Sequence, residues 1–272
     1  MNKLLTQHST TLFYRVGGEG NPGLPVLLLH GFAEDGSVWD RQVAHLKKDH
    51  RLIIPDLPGS GRSPALAEIT EAPSIEALTE SVKTILDAEA IDQCVMIGHS
   101  MGGYITLAFA EKYPDRLKAF GLFHSTAYED TGAKKTNRRK SIEFIRRHGS
   151  AEFIRQSVPN LFAEHYKQEH PEVVAELIER YSGFPPASLI YYYSAMINRP
   201  DRTRILREFR GPVLFIIGDQ DNAIPLTDSL EQCHMPACAH ILIPEDCGHQ
   251  GMLEKTGQCN RMLSEFLRSI PH

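Results

Sequence analysis

The feature that most constrains this chain is VMIGHSMGGYITLAF, residues 95 to 109, where an apolar run meets Gly98-His99-Ser100-Met101-Gly102 and passes at once into a helix-like pattern. A strand, a tight turn and a helix must share these few residues, so the backbone at the turn is crowded. Glycines at 98 and 102 suit that crowding, because side chains there would obstruct it. The same turn holds the Ser100 hydroxyl clear of the strand in a strained backbone conformation. The Met101 N–H, at the start of the helix, then faces any negative charge that develops beside the hydroxyl. The plainer alternative is a serine that caps a helix beside packing glycines.

PVLLLHG (25 to 31), RLIIPD (51 to 56), CVMIGHS (94 to 100) and LKAFGLFHS (117 to 125) are short apolar runs of the kind buried on both faces of a parallel sheet. Helical patterns lie between them. In SIEALTESVKTILDAEA, residues Ile75, Leu78, Val82, Ile85 and Leu86 share a face behind the N-cap candidate Ser74, and MGGYITLAFAEKYP ends before Pro114. GPVLFIIGD, a helix near 226 to 234, the strand AHILIP and a closing helix through MLEKTGQCNRMLSEFLRSI repeat the alternation. This predicts an α/β fold, a mostly parallel sheet flanked by helices, with ligands at the carboxyl ends of the strands. From Tyr128 to Leu206 the alternation stops. Amphipathic pieces such as KSIEFIRRHGSAEFIRQSV and PEVVAELIERYSGF follow one another there, with turns at Pro159, Pro171 and Pro185-Pro186. The expected organisation is a core formed by 1–127 and 207–272, with a helical cap inserted at 128–206.

A nucleophilic serine requires a base, and the base requires an orienting acid. Two downstream loops leave predicted strand ends: DQDNAIP after GPVLFIIG, and EDCGHQGMLE after AHILIP. His249 in the second is the candidate base. None of the other histidines combines a strand's carboxyl end with a place after a candidate acid. In the first loop Asp219 and Asp221 compete. Asp221, beyond the strand end, reaches deep enough to turn back toward His249, whereas Asp219 adjoins the strand and is placed to brace the turn.

Together these segments resemble the α/β-hydrolase family, over nearly the whole chain outside the cap. LLLHGF is similar to its oxyanion-hole segment, DLPGSGRS (56 to 63) to its D-x-P-G-x-G-x-S turn, GHSMGG to its nucleophile elbow, and GDQD with CGH to its acid and histidine loops. The resemblance implies the chain order serine, acid, histidine, and so a triad of Ser100, Asp221 and His249. It also implies an oxyanion hole made by the backbone N–H groups of Phe32 and Met101, and a largely structural part for residues 56 to 63. Haloalkane dehalogenases and epoxide hydrolases of this family carry aspartate where Ser100 stands. The expected activity is therefore hydrolysis of a small-molecule carboxylic ester through an acyl-enzyme, by a serine esterase-like enzyme. Lactonases, thioesterases and carbon–carbon bond hydrolases share the triad, and a non-catalytic ligand-binding receptor on the fold is the alternative of a different class.

Candidates for the substrate pocket are His30, Trp39, His124, Phe184 and Tyr192, the last from the aromatic run YYYSAM (191 to 196), which could equally pack the cap onto the core. The stretch Tyr128 to Arg207 holds 14 Lys and Arg against 10 Asp and Glu, while the whole chain has a formal net charge of -5. A basic cap on an acidic protein reads either as a solvated helix face or as an attraction for an anionic substrate. The acidic balance opposes nucleic acid or an anionic membrane as partner. No run approaches the roughly 20 apolar residues of a membrane span, and the start lacks a signal-peptide pattern, so a cytoplasmic location is expected. A small molecule is the expected partner, with monomer and homodimer both open. Cys233, His234, Cys238, His240 and Cys247 straddle a helix, a turn and a strand without a close C-x-x-C pair, so no metal is expected. Nor is any cofactor, for there is no Walker-type loop or dinucleotide fingerprint.

Overall fold

Apolar runs without polar alternation need cover on both faces, and the middle of the sheet supplies it. The computed structural model describes residues 1–7, 10–63 and 72–271. Its strands are β1 (Asn2–Gln7), β2 (Thr10–Gly17), β3 (Val26–Leu29), β4 (Leu52–Pro55), β5 (Cys94–His99), β6 (Leu117–Phe123), β7 (Val213–Ile216) and β8 (Ala239–Leu242), in one sheet of order β1-β2-β4-β3-β5-β6-β7-β8. β1 and β2 run antiparallel to their neighbours, and β4, β3, β5, β6, β7 and β8 are mutually parallel. All residues of β3, β4, β5 and β7 are buried.

Three strands depart from the reading by apolar runs. β1 and β2 mix Lys, Thr, Gln and Arg among their apolar residues, as an antiparallel edge tolerates, and so raise no run of their own. AHILIP, an apolar run read as a strand of the sheet, is β8 at the opposite edge, where Ile241 and Ile243 are exposed.

The helices are α1 (Asp40–Leu46), α2 (Ile75–Ala88), α3 (Met101–Lys112), α4 (Gly132–Ser157), α5 (Glu164–Glu169), α6 (Pro171–Tyr181), α7 (Pro186–Asn198), α8 (Thr203–Glu208), α9 (Leu226–Gln232), α10 (Gly251–Glu254) and α11 (Thr256–Ser269). Ser74 caps α2 by accepting the Ala77 N–H at 3.1 Å. The buried faces of α2 and α3 share one apolar cluster, and residues of α1 and α11 fill a second one. Five helices, α4 to α8, lie between β6 and β7 with no strand among them. The first is kinked at Gly149, whose φ of 79° an L side chain rarely adopts. This helical segment is tied down by polar contacts as well as packing. The Tyr192 hydroxyl donates to Pro58 O at 2.6 Å, and buried Arg202 pairs with Glu76 and Glu111. Among the described residues no helix is long and apolar enough to cross a membrane.

Candidate active site

β5 ends at His99 and α3 begins at Met101, so Ser100 alone makes the turn, with φ 49° and ψ -114°. Such a conformation persists only where neighbours over-determine it. Here the Ser100 N–H donates to Phe123 O at 3.0 Å, and Ser100 O accepts from Gly103 N at 2.9 Å and Ser125 Oγ at 2.7 Å. A Cβ at Gly98 would sit 2.2 Å from Gly102 O, and one at Gly102 would sit 2.5 Å from Leu29 O. Both glycines are therefore required by backbone clearance. The Ser100 side chain makes no cap hydrogen bond, which removes the plain helix-cap reading. Among the described residues neither the Met101 N–H nor the Phe32 N–H is taken by a backbone acceptor outside a regular element.

The loops after β7 and β8 meet back to back: a Cβ at Gly218 would lie 2.2 Å from Gly248 O. Asp219 ties them by accepting from Cys247 N at 2.8 Å and Asp246 N at 3.1 Å. Asp221 reaches past this brace. Its Oδ2 lies 2.7 Å from His249 Nδ1, and its Oδ1 accepts from the N–H groups of Ala223 (2.8 Å) and Ile224 (2.9 Å). His249 and Ser100 line one cavity of about 150 Å³. Burial opposes charge on both members of the pair, yet their mutual attraction wins. The His249 charge and the hydrogen bonds hold the Asp221 carboxyl far below its usual range, and the carboxylates of Asp221, Glu34 and Glu254 hold the His249 imidazole above its ordinary value.

His99, next to the serine, has no nitrogen to offer as a base. Its Nδ1 lies 2.9 Å from Glu34 Oε2 and its Nε2 lies 3.0 Å from His249 O. Glu34 is the residue that sequence reasoning missed. Wholly enclosed, it accepts from Gly31 N (2.8 Å), His99 and Gln250 Nε2 (2.8 Å), and so locks the loop that carries Phe32. Burial raises its pKa, but the His99 charge and these hydrogen bonds outweigh it and bring the carboxyl down to about 2. The only advance signal is a carboxylate in a turn directly behind LLLHGF.

The five residues expected to line the pocket lie elsewhere. His30 is buried behind the loop, where its Nε2 accepts the Leu57 N–H at 2.9 Å and lies 2.8 Å from Ser60 Oγ. Trp39 is wholly buried on the opposite face of the sheet, edge-on to Phe123 at 5.2 Å. His124 sits behind the acid: its Nδ1 lies between the Gly218 N–H (3.1 Å) and Asp221 Oδ2 (3.3 Å), and burial lowers its pKa to about 4, so it is neutral near pH 7. Phe184 and Tyr192 pack in the core with rings 6.2 Å apart. Neighbours on a helix point about 100° apart, so Tyr193 rather than Tyr192 turns inward. The lining comes instead from Phe32, Glu34, Arg138, Phe153, Leu177 and Tyr193, among others.

The turn at 56 to 63 carries structure. Asp56 accepts from Gly36 N (2.9 Å) and Arg62 N (2.8 Å), and a Cβ at Gly61, φ 49°, would collide with its carboxylate at 2.3 Å. The five cysteines are free thiols. Among the described residues, the one group of three potential metal ligands close enough to share an ion is His124, Asp221 and His249, with ligand atoms within 4.8 Å of one another. All three are buried, and the last two already bind each other.

Comparison with known proteins agrees with this architecture. A family model described as alpha/beta hydrolase fold matches residues 25–137. A dihydrolipoyllysine-residue acetyltransferase component of the acetoin cleaving system from Pseudomonas putida is 27% identical over 94% of this chain, which spans 66% of that longer relative. The 2-hydroxy-6-oxononadienedioate/2-hydroxy-6-oxononatrienedioate hydrolase of Burkholderia vietnamiensis is 27% identical over 94% of this chain and 90% of its own length. The solved structure of a thermophilic esterase from Thermogutta terrifontis, malate bound, superposes with a TM-score of 0.90 at 28% identity, covering 99% of both chains.

Proposed function

Because this chain belongs to the α/β-hydrolase fold family, we propose that it is a serine hydrolase that cleaves a small carboxylic ester, with Ser100 as nucleophile, His249 as base and Asp221 as the acid that orients it. The observation that carries this reading is Ser100 itself. Its backbone is strained, its hydroxyl makes no cap hydrogen bond, and it shares a cavity wall with a histidine whose far nitrogen is held by a buried carboxylate.

Attack of Ser100 Oγ on the ester carbonyl passes the hydroxyl proton to His249 Nε2. The tetrahedral oxyanion accepts the N–H groups of Phe32 and Met101, each such donor stabilising it by about 3 kcal/mol. Collapse expels the alkoxide, which takes the proton back from Nε2, and water then repeats the sequence on the acyl-serine to release the acid. Asp221 keeps the proton on Nδ1, so that Nε2 is the basic nitrogen, and offsets the imidazolium charge. The helices α4 to α8 act as a cap that roofs the cavity and sets substrate choice.

Likeness to the Thermogutta esterase supports ester cleavage, and likeness to the Burkholderia hydrolase supports a second reading, a carbon–carbon bond hydrolase using the same three residues. Replacing Ser100 by alanine should leave the circular dichroism unchanged and lower turnover of p-nitrophenyl butyrate at least about a thousandfold. Wild-type rates in that variant would overturn the assignment.

A further inference from the structure

Several basic residues of the helical segment pair with acids close by on the same helix, as Arg146 with Glu143, Lys167 with Glu164 and Arg180 with Glu176. Arg138 of α4 is different, because it lines the cavity shared by Ser100 and His249. One edge of its guanidinium is engaged: Nε donates to Asp130 Oδ2 at 2.5 Å and Nη2 to Asp130 Oδ1 at 3.2 Å. Asp130 has a second cation. Arg199 Nη1 lies 2.9 Å from its Oδ1, and Arg199 is otherwise spent on Met196 O, Tyr128 O and the face of Tyr104. One carboxylate thus serves two guanidinium groups, which leaves an excess positive charge. The Arg138 side chain is 20% exposed, so water answers that charge only in part and an anion in the cavity would answer the rest.

The free charge lies on a residue of the cavity wall. With the Nε–Nη2 edge bound to Asp130, the end of the fork formed by Nη1 and Nη2 retains donors without a partner among the described residues, in the geometry that grips a carboxylate by two parallel hydrogen bonds. Position sets the scale of the ligand. The Tyr193 ring stacks on Phe32 at 4.2 Å, and the Arg138 guanidinium lies 5.5 Å from the centre of the same Tyr193 ring. The cation therefore stands one aromatic ring away from the loop whose N–H would hold the oxyanion. Glu34 also lines the cavity, and its carboxylate disfavours an anion beside it.

We propose that Arg138 is a carboxylate-binding residue that selects substrates carrying a carboxylate a few carbons from the scissile carbonyl, such as half-esters of dicarboxylic acids. This rests on the hydrolase reading for the reaction, though not for the binding. Kinetics on p-nitrophenyl hemiglutarate and its uncharged counterpart p-nitrophenyl valerate test the first. In the wild type the acidic ester has the higher kcat/KM, and Arg138→Gln lowers the ratio of acidic to neutral kcat/KM at least tenfold, chiefly through KM. Arg138→Lys, which keeps the charge but loses the fork, falls between. A ratio that Arg138→Gln leaves unchanged overturns the proposal.

Binding tests the second without turnover. On the Ser100→Ala background, calorimetry with glutarate should register binding that Arg138→Gln abolishes, and methyl butyrate should not compete for it. Failure of wild-type turnover with both esters would sink the esterase reading alone, whereas absence of glutarate binding to Ser100→Ala would sink the carboxylate site. Should Arg138→Gln not fold, glutarate must still inhibit wild-type hydrolysis of the valerate ester competitively, and a lack of inhibition overturns the proposal.

Discussion

At the scale of single residues, the protonation of His249 governs the proposed chemistry. Burial pulls its pKa down, but Asp221 first, then Glu34 and Glu254, push it above the ordinary histidine value. The base must be neutral to accept the serine proton. Activity is therefore present above that raised pKa and is lost as pH falls through it. Glu34→Gln removes one negative charge beside the imidazole, while the glutamine oxygen can still accept the Gly31 N–H. The acid limb of the kcat/KM profile should then move to lower pH, and a limb that stays in place or moves upward contradicts the role given to Glu34. The same substitution bears on stability. A carboxyl held at about 2 in the folded protein contributes stability that is complete above its ordinary value and is lost as pH falls toward 2, so the variant should show a shallower decline in that window.

At the scale of elements, the junction of β5 and α3 tolerates no side chain at Gly98, because the obstacle is the Gly102 carbonyl and neither strand nor helix can retreat from it. Gly98→Ala should cost about 1 to 3 kcal/mol, a fall in melting temperature of several degrees, and a melting temperature within one degree of wild type would refute the clearance argument. This junction was legible in the sequence for the same reason that it is rigid: strand, turn and helix signals lie within a few adjacent residues. The loops that carry Asp221 and His249 were legible too, since each follows directly on an apolar run. What escaped was decided by distant partners. Nothing local distinguishes Tyr192, which bonds to Pro58, from Tyr193, which turns to the cavity, and the phase of α7 is set by its packing on α4. Beyond the local Gly31 N–H, Glu34 is held by His99 and Gln250, far along the chain. β1 and β2 form an antiparallel pair whose mixed residues leave no uninterrupted apolar run.

At the scale of the whole molecule, the question is whether the helices above the cavity form a separate unit. Ile145 and Phe153 of α4, Leu177 of α6 and Tyr192 of α7 belong to the same buried cluster as Leu27 of β3, Met96 of β5 and Phe120 of β6. Hydrogen bonds cross the same boundary: His249 N donates to Leu161 O at 2.6 Å, Ala163 N to Glu254 Oε2 at 2.9 Å, and Arg202 N to Ala127 O at 2.7 Å. An element so continuous with the core gains little by melting alone. Trp39, the single tryptophan, offers a probe, because it is buried in the cluster on the far side of the sheet from these helices. Its fluorescence reports the core, while the far-ultraviolet circular dichroism draws heavily on α4 to α8. In urea the two signals should lose their native values at one midpoint. Leu177→Ala, a buried truncation in α6, should cost about 2 to 5 kcal/mol and move both midpoints together. If the dichroism shifted and the Trp39 signal did not, the helical segment would be an independent unit, and substrate choice could be altered there without cost to the catalytic core.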